Sequence, residues 1–496
     1  MKAALAVWWW VVGIPPLHVG GDDALLELYT LHATRGEQLL GPHASFGFHQ
    51  PGPAYYYLQA PLYLLLGKHS IALHFGALLI NLVAVAAILW LAARTGVPWL
   101  LYAVAAAVAV YVGLFGQARL SHPLTPFVAL MPYGAALLLC ARLAQGSLWA
   151  LPTLVAVTSV IVQAHMSYLP ALAVAWLAAL AMAAAHGWPT LTWRPLAAAA
   201  GIGVVLWTPA LVEQVSHDPG NLTRMLRWAG GAGQGAGLGE ASAIVAAWVA
   251  SPIGFILRGM RPPAGPGDDP VAPALLSAAF LGLALAALIL AVRRRQLAPA
   301  TLLLTGLATV GMAAVLIARL APPVPYTALL WLGLAATLTW ATAIGVLLSG
   351  SGTRTAGLPG SLAWLGLTAW ALAPSLAGAV AMGGPQQIDR LAAVNHGVAA
   401  ELARQGIARP RVLIQSEAVW PTAAAVILEL SKEGHRVSVQ DDRLVLFGEQ
   451  YRARGDEDGE ILVAERALEP GDRDGWRIAA QDEDETAHVR RLPRAG

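Results

Sequence analysis

The chain has 496 residues, of which 57% are hydrophobic and 12% charged. A soluble domain is about 25% charged, and a disordered chain combines low hydrophobicity with high charge, so both classes are excluded. The net charge of +2 is too small to point to nucleic acid.

The charge is unevenly placed. Residues 1–382 hold 16 Lys+Arg and 9 Asp+Glu, whereas residues 383–496 hold 15 and 20. The first part reads as an α-helical polytopic membrane domain and the second as a soluble α/β domain attached to it. A spanning helix needs about 20 mostly apolar residues. Runs of that kind predict spans at 3–19, 70–93, 97–115, 124–143, 147–164, 168–186, 195–213, 271–292, 299–319, 326–349 and 361–382. The single cysteine, Cys140, excludes an intramolecular disulfide.

Met1 to Gly20 has the Lys2 and apolar run of a signal peptide. No small-x-small cleavage site precedes Gly20-Gly21, and Trp8-Trp9-Trp10 is bulky, so the segment reads as an uncleaved first helix. The loop 20–69 follows. Asp22 is placed to cap a helix running to about Arg35. Asp23 and Glu27 are four apart and share a face of that helix. Such a carboxylate group reads as a solvated face or as a base that takes a proton from a hydroxyl. Residues 41–53 carry three prolines and three glycines and predict a rigid irregular loop that includes His49 and Gln50. Pro53 to Gly67 is apolar but short, hence re-entrant or interfacial, and its Tyr55, Tyr56 and Tyr57 suit the membrane interface or a sugar ring.

Arg119 and His122 lie in the next turn on that side, and Gln163, His165 and Tyr168 in the one after. Polar groups at membrane depth are costly unless paired or functional. A divalent metal would draw on His49, His122 and His165 with Asp22 or Asp23, although no spacing demands one. The loop 214–270 offers Asn221, Arg224, Arg227, Arg258 and Arg261; arginines there suit a phosphate or anchor at headgroups. Residues 238–258 read as an amphipathic or re-entrant element outside the span count.

In the tail, 385–406 and 418–433 read as helices, and 411–414, 435–440, 444–447 and 460–464 as strands. Asp472 to Glu485 reads as a mobile acidic end. Orientation follows from the short loops. One side receives Lys2, Arg94, Arg142, Arg194, Arg293, Arg294, Arg295 and Arg354, and the other all nine acids of the first 382 residues. Basic short loops face the cytoplasm. This predicts a plasma-membrane protein with a cytoplasmic N-terminus and an extracytoplasmic tail.

The sequence resembles the GT-C class of integral-membrane glycosyltransferases, nearest to actinobacterial envelope members. A pattern G-D-x-A-L-x-E-L is matched by Gly21, Asp22, Ala24, Leu25, Glu27 and Leu28. A pattern G-P…F-G-[aromatic]-N-H-P-G-P is matched by Gly41, Pro42, Phe46, Gly47, Phe48, Pro51, Gly52 and Pro53, with His49-Gln50 in place of N-H and Ala44-Ser45 in place of S-R. The likeness extends to Gln163 through Pro170 and to Asp218 through Leu222. It implies a polyprenyl-phosphate-linked sugar donor, an envelope glycan, lipid or protein acceptor, and Asp22 as the base. Asp23 and Glu27 would support that base. His49, Gln50, Tyr55, Arg119, His122, Gln163, His165, Tyr168, Asn221 and Arg258 are the candidates for holding substrate. A non-catalytic envelope-assembly protein of the same fold is the alternative. A transporter fits less well, because the acids stay in loops rather than at mid-membrane depth.

Overall fold

The computed structural model describes residues 17–44, 46–188, 191–231, 235, 237–258, 271–320, 324–349, 385–469, 475–481 and 485–493. The expected span 361–382 lies outside the described residues, as does 3–19 except for its last three positions. Contacts divide the chain into two compact units. One contains the first loop up to His49, Tyr55–Gly76 and the tail; the other contains Gln50–Ala54 and Ala77–Val380. The tail thus groups with the first loop.

Among the described residues, nine helices are long and apolar enough to cross a membrane. They are Ile71–Ala93, Pro98–Phe115, Thr125–Ala144, Met166–His186, Trp193–Ser216, Gly237–Leu257, Val271–Arg293, Leu297–Arg319 and Tyr326–Leu348. Ala150–Ala164 is a shorter apolar helix. All except Gly237–Leu257 match expected spans. Thr125–Ala144 and Tyr326–Leu348 are mostly buried, whereas Trp193–Ser216 and Val271–Arg293 keep Val204, Val205 and Leu275 exposed for lipid. Small residues permit close approach without a hydrophobic driving force between helices. At Gly306 the Thr339 side chain occupies the space a Cβ would need. The Thr337 and Thr342 hydroxyls donate to carbonyls of their own helix, each at 2.7 Å, so these two buried hydroxyls are satisfied.

The segment 238–258 is a helix packed against Val271–Arg293, Leu297–Arg319 and Leu330–Leu348. It is therefore part of the bundle rather than a surface element. The arginine turns before and after it nevertheless fall at the same end of the bundle. Arg142 donates to the Arg94 carbonyl at 2.8 Å, and Arg294 donates to the Val346 carbonyl at 2.9 Å. Arg295 and Gln296 line one hollow together with Thr95, Gln145 and Ser349. The arginine-bearing turns thus gather at one end of the bundle, as their charge pattern requires.

In the other unit, strands β1 (His43–Ala44) and β2 (Phe48–His49) form a short hairpin. The tail builds a sheet from β3 (Pro410–Ile414), β4 (Ser438–Val439), β5 (Gly459–Ala464), β6 (Arg477–Gln481) and β7 (Thr486–Arg491) in the order β4-β3-β5-β7-β6. β3 is parallel to β4 and β5, and β7 is antiparallel to β5 and β6. Helix Trp420–Glu433 links β3 to β4, ends at a left-handed Gly434, and buries Ala423 through Leu428. Two expectations are corrected. Leu444–Phe447 is a helical turn, not a strand: Leu444 and Phe447 point inward at helical spacing. Within 472–485, where a mobile acidic end was expected, Arg477–Gln481 forms β6 and pairs with β7, whose first four residues are buried beside β5, so sheet pairing overrides the surrounding charge.

Candidate active site

The first-loop helix spans Gly21–Ala33. Its N-cap is Gly20, with no side-chain capping bond, so Asp22 is not the cap. Gly21 is left-handed, with φ 57°, and a Cβ on Gly20 would come within 3.1 Å of both Leu391 and the Pro421 carbonyl. The tail backbone thus approaches so closely that the helix enters through two glycines. Asp22 and Asp23 therefore occupy the first turn, where the helix dipole favours negative charge.

The three carboxylates have different environments. Asp22 is exposed, and partial desolvation pushes its carboxyl above the ordinary range. Asp23 is half-buried; burial, then the charges of Asp22 and Glu27, push it up to about 6. Its buried Oδ1 has no hydrogen-bond partner among the described residues. Glu27 is fully buried. Its Oε1 lies 2.5 Å from Lys432 Nζ and accepts from the Tyr63 hydroxyl at 2.8 Å. Burial works against the Lys432 ammonium, but Glu27 and then Glu429 outweigh it and hold its pKa above the ordinary value. Glu27 is thus a fastening point, and the two aspartates are the carboxylates open to a ligand.

Aromatic side chains surround them. Tyr55 and Tyr56 are buried, so neither is a membrane-interface ring. Tyr29 meets Tyr56 edge-on at 5.4 Å, and its hydroxyl donates to the Leu446 carbonyl. The Tyr55 hydroxyl accepts from Gln59 at 2.8 Å. The Tyr56 hydroxyl is buried with no partner among the described residues. Buried polar atoms are nearly always satisfied, by protein, water or ligand. Orphaned oxygens on Asp23, Glu27, Tyr56 and Gln59 are therefore positions that a polar ligand or water would satisfy. His49 lies 6.0 Å from Tyr29, ring to ring. Its ring nitrogens face the Gly41 carbonyl at 3.0 Å and the Val445 carbonyl at 2.6 Å. Beside it, burial pushes the His43 imidazole down to about 4.

The second unit holds the other expected residues. Gln50 accepts from the Met166 amide at 2.7 Å. Gln163 accepts from the Ala54 amide at 3.2 Å and donates to the Leu206 carbonyl at 2.9 Å. Both glutamines therefore tie loop backbone to helix. Their role suggests a test: Gln163→Leu should strand an amide and a carbonyl and cost roughly 1–3 kcal/mol, read by thermal unfolding in detergent. His165 Nδ1 is buried without a partner among the described residues. The Tyr168 hydroxyl donates to the Pro126 carbonyl at 2.8 Å. Arg119 lies over Phe115, Phe127 and Tyr326 at 5.9, 5.6 and 5.4 Å. The His122 ring accepts from the Leu124 amide at 3.2 Å. Asn221 is buried, and its amide donates to Glu213 at 2.9 Å, so a carboxylate caps helix Asn221–Gly230. Arg258 ends its helix, and its side chain lies outside the described residues. Among the described residues no group of three or more His, Cys, Asp or Glu is gathered for a metal.

The sequence reading missed Lys432, Tyr29 and Tyr63. Lys432 sits on a helix more than 400 positions from Glu27, and nothing local announces that pairing. Tyr29 and Tyr63 had a fainter signal, as isolated tyrosines in apolar helical runs.

The architecture defines a multi-pass α-helical membrane protein with a C-terminal mixed sheet. No protein-family model matches the chain, and no curated protein matches it. Among solved structures it is similar to ArnT from Cupriavidus metallidurans bound to undecaprenyl phosphate, with 14% identity, a TM-score of 0.47, and 98% of this chain and 97% of that one covered. The apo state of that protein gives 12% identity, a TM-score of 0.47 and the same 98% and 97% coverage. The archaeal oligosaccharyltransferase AglB from Archaeoglobus fulgidus, in complex with an inhibitory peptide and a dolichol-phosphate, gives 12% identity, a TM-score of 0.40, and 90% of this chain against 66% of that one.

Proposed function

We propose that the chain is an inverting glycosyltransferase that moves a sugar from a polyprenyl-phosphate donor to an envelope glycan, lipid or protein. The observation that carries this reading is the Asp22–Asp23 pair in the first turn of Gly21–Ala33, one carboxylate exposed and the other raised to about 6 with a buried oxygen open. The motif resemblance around Asp22 and His49 supports it. Adjacent carboxyls in unlike environments divide acid–base roles.

In this mechanism Asp22 takes the proton of the acceptor hydroxyl. The hydroxyl oxygen forms a bond to the anomeric carbon, and the bond from that carbon to the phosphate oxygen breaks. The polyprenyl phosphate leaves with the electron pair, and the anomeric configuration inverts. Asp23 orients the acceptor through its open oxygen, and Tyr56 offers a hydroxyl to the sugar. The tail and first loop fold as one unit and therefore share a face of the membrane, which we assign to the outside.

The test is sugar transfer by the purified protein in liposomes, with a panel of polyprenyl-phosphate sugars and envelope acceptors. Transfer with inverted configuration is expected for one donor. Absence of transfer from every donor, together with unchanged envelope glycans in cells lacking the protein, sinks the enzyme reading. For topology, a reporter fused after Gly496 should be active only on the outer face.

A further inference from the structure

The end of the bundle bearing the arginine turns carries a cavity. An apolar trench of about 560 Å³ runs between helices Pro98–Phe115, Gly237–Arg258 and Leu330–Leu348, lined by Trp99, Ala106, Ile253, Trp340 and Ile344 among others. It shares Pro98, Trp99 and Ser349 with a polar hollow of about 540 Å³ that also holds Gln145, Arg295 and Gln296. The two form one amphipathic space, apolar along the helices and polar at the rim.

The rim is cationic. Arg94, Arg142, Arg294 and Arg295 stand on the turns that meet there, and the sequence puts no Asp or Glu in those turns. Topology alone accounts for basic residues at this end. It does not account for two unsatisfied buried polar atoms on residues that line the same space. Trp99 Nε1 and Gln296 Oε1 have no hydrogen-bond partner among the described residues. The first is a donor and the second an acceptor. Among the described residues Arg295 is also one of two non-glycine residues with positive φ, at 55°, a conformation glycine adopts more readily.

We infer that this space is a binding site for an anionic glycerophospholipid of the adjoining leaflet, one acyl chain in the trench and the headgroup in the hollow. Arg295 and the Trp99 N–H donate to the phosphate, since charge-assisted bonds to phosphate oxygens are the strong ones. Gln296 Oε1 accepts from a headgroup hydroxyl, which favours phosphatidylglycerol over phosphatidylcholine. The site is independent of the carboxylate pair and of the proposed transfer reaction.

The full-length protein, purified in neutral detergent, is offered phosphatidylglycerol, phosphatidylcholine, undecaprenyl phosphate or free glycerol phosphate. Retained lipid is counted by native mass spectrometry, and thermal unfolding is followed in parallel. Phosphatidylglycerol should be retained about tenfold better than phosphatidylcholine, and glycerol phosphate alone should not protect. Arg295→Gly suits the left-handed backbone and so should fold, but should lose most of the preference. Ala106→Trp fills the trench and should abolish retention of both phospholipids. Equal retention of both phospholipids, displacement of phosphatidylglycerol by undecaprenyl phosphate at equal concentration, protection by glycerol phosphate alone, or unchanged retention in both variants would each overturn the assignment.

Discussion

Asp23→Asn should make the protein more stable and less active. The carboxyl of Asp23 is pushed up to about 6 from an ordinary 3.8, chiefly by burial. At neutral pH the folded state therefore holds a charge that the unfolded state holds more comfortably. Each pKa unit is about 1.4 kcal/mol. With a discount for the part of Asp23 that solvent reaches, the variant should gain about 1–3 kcal/mol at pH 7. The sign is fixed by linkage: a raised folded pKa destabilises above that pKa, so the gain should fade as pH falls from about 6 toward 4. Denaturant melts at pH 7 and pH 4 measure it. Activity should move the other way. If Asp23 must be ionised to orient the acceptor, wild-type transfer falls as pH drops through about 6, and that acid limb should vanish in Asp23→Asn with a residual rate roughly tenfold lower. Asp22→Asn removes the proposed base and should cost about 100-fold or more. An Asp23→Asn protein no more stable at pH 7 than wild type would show that the carboxyl is not strained. Full transfer by Asp22→Asn would remove that residue from the chemistry.

Lys432→Met should be among the most destabilising single changes in the unit built from the first loop and the tail. Lys432 Nζ lies 2.5 Å from Glu27 and 3.2 Å from Glu429, and it donates to Ser70 Oγ at 3.2 Å. Glu27 is fully buried. Removing one partner of a buried pair leaves the other charge uncompensated, which costs about 3–5 kcal/mol. The loss should appear as release of the tail helix Trp420–Glu433 from the first-loop helix, visible as faster proteolysis of the tail. The double variant Glu27→Gln with Lys432→Met removes both charges and should recover most of the loss, since a neutral pair strands nothing of comparable cost. A single variant as stable as wild type, or a double variant worse than the single, would show that the pair is not what fastens the helices.

The helices were legible because lipid imposes a simple rule: a long apolar run either crosses the membrane or packs in the bundle. Eight spans fall where hydropathy puts them. Residues 238–258 were harder, since length and composition do not distinguish a surface element from a helix packed among others. In the tail, Pro410–Ile414 and Gly459–Ala464 were read correctly from their β-branched and aliphatic content. Leu444–Phe447 was not, because four apolar residues satisfy either a strand or a single helical turn. Strands β6 and β7 were hidden by Arg477, Arg490 and Arg491, whose charges say nothing about the pairing of the backbone beneath them.

The carboxylates were visible for a similar reason. In a chain this poor in acids, Asp22, Asp23 and Glu27 stand out, and their spacing places Asp23 and Glu27 on one helical face. Their roles were not visible. Burial and partner charges divide them, and both come from residues far along the chain: Lys432 and Tyr63 hold Glu27, while the close approach of Pro421 and Leu391 is met by Gly20 and Gly21. By itself the sequence determined the membrane class, the positions of eight long helices and the cluster of acids, because hydropathy and helical periodicity are properties of short segments. Only the tertiary structure decided that the tail folds on the first loop, that Glu27 is fastened to Lys432 and Tyr63, and that the arginine turns gather around one hollow. Each of these depends on which distant groups are brought within a few ångströms, and a buried charge takes its character from those neighbours.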